Sequence, residues 1–289
     1  MHYKEAKHIL SASNGMNLYR GCTHGCIYCD SRSTCYQFDH PFEDVEVKVN
    51  APELLEDALC RKRNRCMIGT GSMCDPYLPI EKTELLTRRC LKMINRYDFG
   101  VSLLTKSDLV LRDLDLLQSI NARSKAVVCT TLTTLGEELS RIVEPNVATT
   151  RRRAEMLKTV HEAGVHTGVW LCPILPFLND TEENLRGLLD YCFDAGVEMI
   201  MNFGMGVTLR DGDRQYFYRK LDEHFPGMKE RYIRAFGDSY QCASPNSAEL
   251  MKIFQAECRA HGVRYEPDDC FAWLSEYEDK QVAAQISLF

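Results

Sequence analysis

The sequence predicts an α/β protein in which six strand–helix units form a partial (β/α)6 barrel, followed by a small C-terminal extension. Short apolar runs alternate with amphipathic stretches, as expected for parallel strands joined by right-handed helical crossovers. The 289 residues are enough for one barrel domain. With 45% hydrophobic and 26% charged residues, the composition is that of a globular protein, and it excludes collagen, a coiled coil and wholesale disorder.

The predicted strands are short apolar segments that end in polar, glycine or proline residues. The second of them ends in the glycine-containing stretch 69–72, where bare backbone allows close approach of a ligand. Pro173 and Pro176 end the fifth, because proline cannot donate a hydrogen bond to a sheet. The six predicted strands cover residues 16–20, 66–71, 99–105, 125–131, 165–171 and 197–203.

The predicted helices lie between these strands and carry apolar residues at a spacing of three or four positions. Asp108 and Thr150 begin two of them, since both residue types favour helix N-termini. Thr181 begins another, which Gly196 ends. The predicted helices cover 81–97, a segment from 108 onward, 150–161 and 181–196.

The C-terminal segment follows a turn at residues 211–214 and has a helical stretch of its own over 248–261. No low-complexity tract or internal repeat interrupts the chain before it. We therefore predict a core barrel over residues 15–225 and an extension over residues 226–289 that packs on the barrel.

The net charge and the first residues give expectations about binding partners and cellular location. Lys and Arg number 35 and Asp and Glu number 41, which gives a net charge of −6 and argues against a general nucleic-acid coat protein. The first seven residues carry charges where a secretory signal needs an apolar segment, and no later run reaches the ~18 apolar residues of a membrane span. We therefore expect a cytoplasmic protein with no membrane segment.

Fourteen cysteines are many for a reducing compartment, where clustered thiols more often bind metal or do chemistry than form disulfides. Six isolated ones are predicted to be small core hydrophobes: Cys60, Cys66, Cys90, Cys129, Cys172 and Cys192. Late in the chain, Cys242, Cys258 and Cys270 would form a second metal site only if the fold gathered them.

The distinctive group is a C-x3-C-x2-C triplet, Cys22, Cys26 and Cys29, in a glycine-rich loop. Glycine permits the positive φ values that wrapping a loop around one centre requires. Three soft sulfur ligands suit zinc or an iron–sulfur cluster. Closed zinc sites have four ligands, and His24 is poorly placed to be the fourth. A cluster held by three cysteines keeps one iron open to substrate or cofactor.

With Tyr28 before its last cysteine, the triplet resembles the signature of radical S-adenosylmethionine (SAM) enzymes, and residues 17–32 resemble the spore photoproduct lyase-like branch. The resemblance implies a TIM-type barrel with its chemistry beside the cysteine loop. It implies a [4Fe–4S] cluster on Cys22, Cys26 and Cys29, and SAM as second cofactor. Reductive cleavage of SAM would give a 5′-deoxyadenosyl radical that abstracts hydrogen from substrate, with a flavodoxin or ferredoxin as reductant.

The same resemblance implies further cofactor-binding residues. Tyr28 would lie near the cofactor, and Ser72 to Asp75 would meet the amino group of SAM. Lys106, at the end of the third strand, would bind the SAM carboxylate, and Thr131 would place a small hydroxyl near SAM. Two more positions match the family in a structural or cofactor-proximal role: Glu144 and Arg153.

Cys74 departs from the lyase pattern. In the lyase a cysteine near this point donates hydrogen to a substrate radical and a serine two residues later faces the cofactor, whereas here Ser72 comes first. A serine O–H bond is too strong to quench a carbon radical readily. Because Ser72 and Cys74 share one face in extended backbone, Cys74 could be the catalytic donor or simply a buried thiol.

Three functions are compatible with these residues: lyase-like chemistry on a nucleic-acid lesion, radical modification of a peptide or small molecule, and a metal-bound binding protein without SAM chemistry. Basic runs at 61–65, 88–89 and 151–153 could form a DNA groove if they converged. Tyr216, Phe217 and Tyr218, with neighbouring arginines, could stack bases. Solvated helix faces and ordinary helix packing explain these features equally well.

Overall fold

The computed structural model describes residues 1–280. Its strands are β1 (His2–Lys4), β2 (Gly15–Met16), β3 (Tyr19–Arg20), β4 (Glu46–Lys48), β5 (Met67–Thr70), β6 (Gly100–Leu104), β7 (Ala126–Thr131), β8 (His166–Trp170), β9 (Met199–Met201), β10 (Gly206–Thr208) and β11 (Gln241–Ala243). They form a parallel six-stranded sheet and two small sheets.

The α-helices are α1 (Ala51–Arg61), α2 (Glu81–Glu84), α3 (Leu86–Arg96), α4 (Leu114–Arg123), α5 (Glu137–Val143), α6 (Thr150–Glu162), α7 (Glu182–Asp194), α8 (Asp213–His224), α9 (Met228–Phe236), α10 (Ser247–Ala260) and α11 (Pro267–Ser275). Short 3₁₀ helices span Asp30–Arg32, Thr34–Tyr36 and Asp108–Asp113. Within residues 1–280, every helix is too short or too polar to cross a membrane.

The main sheet has the strand order β2-β5-β6-β7-β8-β9, and every neighbouring pair is parallel. The register places Ile68 beside Val101 and Val128 beside Thr167. Helices connect successive strands, as right-handed crossovers require. No pairing within the described chain joins β9 to β2. The predicted α/β class and the partial barrel are therefore confirmed.

The first predicted strand, 16–20, is divided between two sheets. Gly15–Met16 pairs with β5 in the barrel, whereas Tyr19–Arg20 pairs antiparallel with β4. The chain leaves the barrel between them, where the Lys48 ammonium donates to the Asn17 carbonyl at 2.7 Å and the Lys48 amide donates to the Leu18 carbonyl at 3.1 Å. The edge of β4 thus competes for the backbone of residues 18–20.

The predicted helix over 81–97 is broken at Leu85, which has a left-handed backbone with φ of 55°. The Glu81 carboxylate explains the break, because it accepts a hydrogen bond of 3.0 Å from the Thr87 amide at the start of α3. Other helices begin close to their predicted positions, with Ser107, Thr149 and Thr181 as caps.

The C-terminal segment packs on the barrel edge at β9. The Ile200 amide donates to the Arg264 carbonyl at 2.8 Å, and the Arg264 amide donates to Glu198 at 3.2 Å. β10 and β11 form an antiparallel pair across the predicted boundary at residue 225. Of the predicted extension, residues 281–289 lie outside the described residues.

Most isolated cysteines lie in or beside the hydrophobic core. Cys90, Cys129 and Cys192 are buried among apolar side chains, as predicted. The prediction for Cys60 is wrong, because this thiol is exposed on the outer face of α1. Cys60 is the next residue after Leu59, but successive helix residues point about 100° apart, so its thiol faces away from the side of α1 that buries Leu55 and Leu59.

We expect Gly71→Ala to lower the free energy of unfolding by about 2 kcal/mol or more. Gly71 has φ of 101°, and a Cβ there would overlap the carbonyl oxygen of Leu104. Gly136→Ala is the control, because a Cβ at Gly136 meets nothing within 4 Å, and it should cost less than about 1 kcal/mol. Equal losses in urea unfolding of the two variants would contradict this account.

Candidate active site

A cavity of about 860 Å³ is bounded by the barrel strands. Alternate residues of a strand form its wall, as do Met67 and Gly69 of β5, or Cys129 and Thr131 of β7. Successive side chains point to opposite faces of a sheet, so this period of two places one face of each strand inward. Residues of β10, β11 and α11 complete the wall. The C-terminal segment therefore helps to enclose the cavity.

The cysteine loop follows β3 and reaches the cavity at its last cysteine. Cys29 and Tyr28 line the cavity wall, whereas Cys22 and Cys26 do not. Two backbone hydrogen bonds of 3.0 Å hold the loop, one from Cys22 to Phe42 and one from residue 27 to residue 143. Gly21, with φ of 88°, permits the first, since a Cβ there would overlap the Phe42 carbonyl oxygen.

The thiols of the triplet lie close enough together to affect one another's pKa. A hydrogen bond with the Cys74 thiol lowers the pKa of Cys22 to about 6, although burial opposes this. Burial raises the pKa of both Cys26 and Cys29, and the Lys106 ammonium counteracts part of that increase. Cys22 therefore ionises most readily, while the other two need a cationic partner.

Lys106 lies directly after β6, and its ammonium is 5.9 Å from the ring centre of Tyr28. Burial would lower the pKa of Lys106, but the negative charges of Cys26 and Glu144 outweigh it and raise that pKa. Among the described residues, no side chain or carbonyl accepts a hydrogen bond from Lys106 Nζ. The fold thus provides a cation beside the triplet with hydrogen-bonding capacity to spare.

A buried network joins the cysteine loop to α6. Tyr28 Oη donates to one carboxylate oxygen of Glu144, and the Arg153 guanidinium donates to the other. Arg153 also donates to the Thr131 carbonyl at 2.6 Å. Burial would raise the pKa of Glu144, but Arg153 and Lys106 hold it below its usual value. The network fixes Tyr28 and Thr131 at the cavity wall.

Ser72 and Cys74 point in different directions, because β5 ends at Thr70 and the backbone beyond is not extended. Ser72 lines the cavity. Cys74 does not: its thiol donates to the Gly21 carbonyl at 2.8 Å and contacts Cys22. The two side chains therefore do not share one face.

Asp75 fixes the loop after β5 to the end of β6. Its carboxylate accepts hydrogen bonds from the Thr105 hydroxyl at 2.6 Å and from the Lys106 amide at 2.7 Å. It also accepts one of 2.8 Å from the amide of residue 77. Asp75 thereby fixes the backbone at Lys106 relative to the loop that carries Ser72.

An aromatic group that the sequence reasoning missed forms part of the cavity wall. The ring centres of Trp170, Phe203 and Phe271 lie 5.8–6.0 Å apart. Phe203 is 55% exposed and Phe271 45% exposed, so both rings keep surface that a ligand can contact. Trp170 and Phe203 stand at the ends of the fifth and sixth predicted strands, and this position could have placed them at the barrel mouth. Nothing in the sequence indicated that Phe271 would join them.

The cavity wall has little charge. Of the described residues that line it, Asp30 is the one carboxylate, and none is lysine, arginine or histidine. Five wall residues are cysteines: Cys29, Cys66, Cys129, Cys172 and Cys242. Away from the cysteine loop, the surface is made mainly of apolar, aromatic, hydroxyl and thiol side chains.

The Radical SAM superfamily sequence model matches residues 16–192 of the chain. The chain belongs to the radical SAM superfamily. The resemblance seen in the triplet is therefore confirmed, and membership implies an enzyme that uses SAM and an iron–sulfur cluster.

Curated relatives of this radical SAM protein are uncharacterized. It is 37% identical over 169 residues to a protein of Methanocaldococcus jannaschii, covering 58% of this chain and 62% of that one. It is 31% identical over 223 residues to a protein of Mycobacterium tuberculosis, covering 75% and 65%. The chain thus spans less than two thirds of the length of these two relatives.

Solved structures of spore photoproduct lyase share the fold. The lyase complexed with dinucleoside spore photoproduct has a TM-score of 0.63 and 16% identity, covering 90% of this chain and 78% of that one. A lyase mutant with bound AdoMet and the same dinucleoside has a TM-score of 0.61 and 16% identity, covering 86% and 74%. At 16% identity these similarities show that the fold is shared, and they say nothing about substrate.

The thiol geometry of this radical SAM protein fits a cluster better than zinc. Sulfur ligands of tetrahedral zinc lie ~3.8 Å apart. The ligand atoms of Cys22, Cys26 and Cys29 do not all lie within 4.8 Å of one another, which leaves room for a larger inorganic centre. His24 does not line the cavity and is 3.7 Å from Asp75. The Cys74 thiol also lies against Cys22, but it donates to the Gly21 carbonyl. A triplet of soft donors suits an iron–sulfur cluster.

The late cysteines do not meet. Cys242 lies on β11 in a cluster with Tyr232, whereas Cys258 of α10 and Cys270 of α11 lie near each other elsewhere. Among the described residues the three do not form a group with metal-ligand spacing. The second metal site that the sequence left open is therefore not assembled by these thiols.

The basic runs do not converge on the cavity either. Residues 61–65 lie between the end of α1 and the start of β5, at the opposite end of the strand from Ser72. Arg88 is paired with Asp113 and Asp115, and Arg152 with Asp108. Tyr216 packs against Arg32, whose guanidinium is 3.8 Å from its ring centre.

We expect Arg153→Met to lower the free energy of unfolding by about 3–5 kcal/mol, because Glu144 would keep a buried charge without its partner. Arg151→Met on the same helix is the control. Its partner Glu155 is exposed at 3.0 Å, so the loss should stay below about 1 kcal/mol. Urea unfolding measures both values, and similar losses would refute the role of the buried pair.

Proposed function

We propose that Cys22, Cys26 and Cys29 bind a [4Fe–4S] cluster at the cavity and that the protein cleaves SAM there, starting radical chemistry on a substrate held inside the barrel. Family membership supports the cofactors. The observation that carries the assignment is the placement of the three thiols, with Cys29 on the wall of the 860 Å³ cavity, whereas the neighbouring Cys74 thiol is directed at the Gly21 carbonyl.

The residues around the triplet suit this task. Cys22, with its low pKa, is ready to ligate as a thiolate, and the Cys74 thiol orients it. Lys106 compensates the charge of Cys26 and Cys29 and makes their ionisation less costly. When bound and reduced, the cluster supplies the electron that breaks a carbon–sulfur bond of SAM.

The cavity wall offers contacts for SAM next to the triplet. Tyr28, Ser72 and Thr131 all line it, and Lys106 has free hydrogen-bonding capacity beside Tyr28. An ammonium binds a carboxylate with a charge-assisted hydrogen bond. We assign Lys106 to the carboxylate of SAM and Tyr28, Ser72 and Thr131 to its remaining contacts.

Cys74 is better suited to positioning Cys22 than to donating hydrogen to substrate. Its thiol is buried, is directed at the Gly21 carbonyl and does not reach the cavity. A hydrogen donor must touch the radical centre. The thiols of Cys172 and Cys242, in contrast, line the cavity.

The cavity wall supports a neutral substrate group with apolar or aromatic character. Trp170, Phe203 and Phe271 provide ring faces, and the described wall has no cation that could bind a phosphate. This favours radical modification of a small molecule or a peptide side chain. The alternative is lyase-like chemistry on a nucleic-acid lesion, which the same rings support because a nucleobase is planar and uncharged.

A flavodoxin or ferredoxin would supply the electron. All fourteen cysteines are free, which agrees with a reducing cytoplasmic setting in which such carriers work.

The decisive experiment incubates the anaerobically reconstituted protein with SAM and dithionite. We expect 5′-deoxyadenosine and methionine, and we expect Cys26→Ala to lose both the cluster iron and these products. Cys60→Ala is the control, because its thiol is exposed and far from the cavity wall. A fully loaded wild-type protein that forms no 5′-deoxyadenosine would leave only a metal-bound binding protein.

Lys106→Met should weaken SAM binding about 10- to 100-fold, the value of one charge-assisted hydrogen bond. The variants are compared at equal iron content after reconstitution, because Lys106 is not a ligand but does assist the ionisation of Cys26 and Cys29. Lys158→Met, on the exposed face of α6, should bind SAM like the wild type. Anaerobic equilibrium binding measures the three affinities, and an unchanged affinity for Lys106→Met would remove this residue from the SAM site.

Salt dependence separates the two substrate classes. A nucleic-acid enzyme should bind DNA with an affinity that falls steeply as salt rises, because phosphate contacts release counterions. We expect no such binding, since the basic runs are dispersed and paired. Salt-dependent binding of DNA would reverse the preference.

A further inference from the structure

A second group of metal-ligand type lies outside the cavity. His2, at the start of β1, meets His40 and Asp44, which belong to the segment between the cysteine loop and β4. One ligand atom from each residue lies within 4.8 Å of the other two. All three are half-buried, and the two imidazole rings stand edge to face with centres 4.8 Å apart.

The hydrogen bonds of His40 leave one ring nitrogen ready to bind. Its Nδ1 lies 3.0 Å from the Pro41 carbonyl, and its Nε2 is buried without a hydrogen-bond partner among the described residues. Metal-binding histidines typically donate the other ring N–H to a carbonyl or carboxylate, which fixes the ring and its tautomer. His40 has this arrangement, and Asp39, 3.9 Å from Nε2, adds negative charge.

His2 lies between two carboxylates. Its Nδ1 is 3.1 Å from Asp44 Oδ2, and its Nε2 is 4.0 Å from Glu46 Oε2. Both carboxylates already form ion pairs: the amino group of Met1 contacts Asp44, and Lys4 Nζ is 3.0 Å from Glu46. The negative charges of Asp44 and Glu46 are thus partly balanced by these two cations.

We propose that His2, His40 and Asp44 form a binding site for a divalent transition metal ion, with zinc as the ion that fits best. Two imidazoles and one carboxylate are a common ligand set for zinc, and a water molecule can complete its tetrahedron. Zinc ligands lie ~3.3 Å apart. The side chains must therefore approach by about 1.5 Å at most, which rotation of the His2 side chain, 39% exposed, allows.

Such an ion would connect β1 to the segment that covers the cysteine loop. Phe42 lies between His40 and Asp44 in sequence, and its carbonyl accepts the 3.0 Å hydrogen bond from the Cys22 amide. Phe38, two residues before His40, stacks beneath Arg20 at 4.8 Å. The proposed site would thus hold in place the backbone that shapes the first turn of the triplet.

The test measures zinc binding to the full-length, cluster-reconstituted protein by anaerobic calorimetry and metal analysis, after treatment with a chelator. We expect the wild type to bind one zinc ion that Asp44→Asn and His40→Ala bind at least about tenfold more weakly. Zinc should also raise the melting temperature of the wild type and not that of these variants.

His8→Ala is the matched control, because His8 is exposed in the same N-terminal segment and lies outside the group. It should bind zinc like the wild type. The cysteines are the same in every variant, so zinc at stray thiols contributes equally and incomplete cluster loading does not affect the comparison. Asp44→Asn nearly preserves shape, which guards against misfolding. Equal zinc affinity and stoichiometry in the wild type, Asp44→Asn and His40→Ala would overturn the proposal.

Discussion

The buried pair of Glu144 and Arg153 is the constraint on which the candidate active site depends. Removing two charges from water costs several kcal/mol per ion unless their hydrogen bonds are nearly complete. Here Tyr28 and Arg153 satisfy both carboxylate oxygens of Glu144, and the Thr131 carbonyl accepts from Arg153, whose Nε is buried without a partner among the described residues. The geometry that satisfies the pair also fixes one end of the cysteine loop and the end of β7. The need to pair these buried charges thereby orders the cysteine loop, which has little regular secondary structure of its own.

The site combines a buried charged cluster beside the cysteine triplet with a cavity wall of little charge. Lys106, Glu144 and Arg153 form the cluster, whereas the wall is made mainly of apolar, aromatic, hydroxyl and thiol side chains. A radical is uncharged and reacts with whatever C–H bond lies nearest, so such an enzyme gains selectivity from enclosure and from steric placement rather than from ionic contacts. The aromatic rings and the partial barrel, whose wall is completed by β10, β11 and α11, provide both.

The local pattern of the sequence was sufficient for much of this. Glycine-rich spacing identified Cys22, Cys26 and Cys29, and apolar periodicity located the last five barrel strands, because both signals depend on near neighbours. The first predicted strand, 16–20, is divided between two sheets by its pairing with β4. It was insufficient at Leu85, where the distant contact of Glu81 with Thr87 breaks a helix. It was also insufficient for Cys74, whose direction depends on the Gly21 carbonyl 53 positions away.

The sequence by itself determined the alternating strands and helices, the cysteine triplet and its family. These are encoded by spacing along the chain, which backbone geometry translates directly into faces and loops. Only the tertiary structure decided that Trp170, Phe203 and Phe271 share a wall, that none of the described residues on this wall is a cation, and that His2 meets His40 and Asp44. Such groupings come from segments far apart in the chain, and packing alone brings them together.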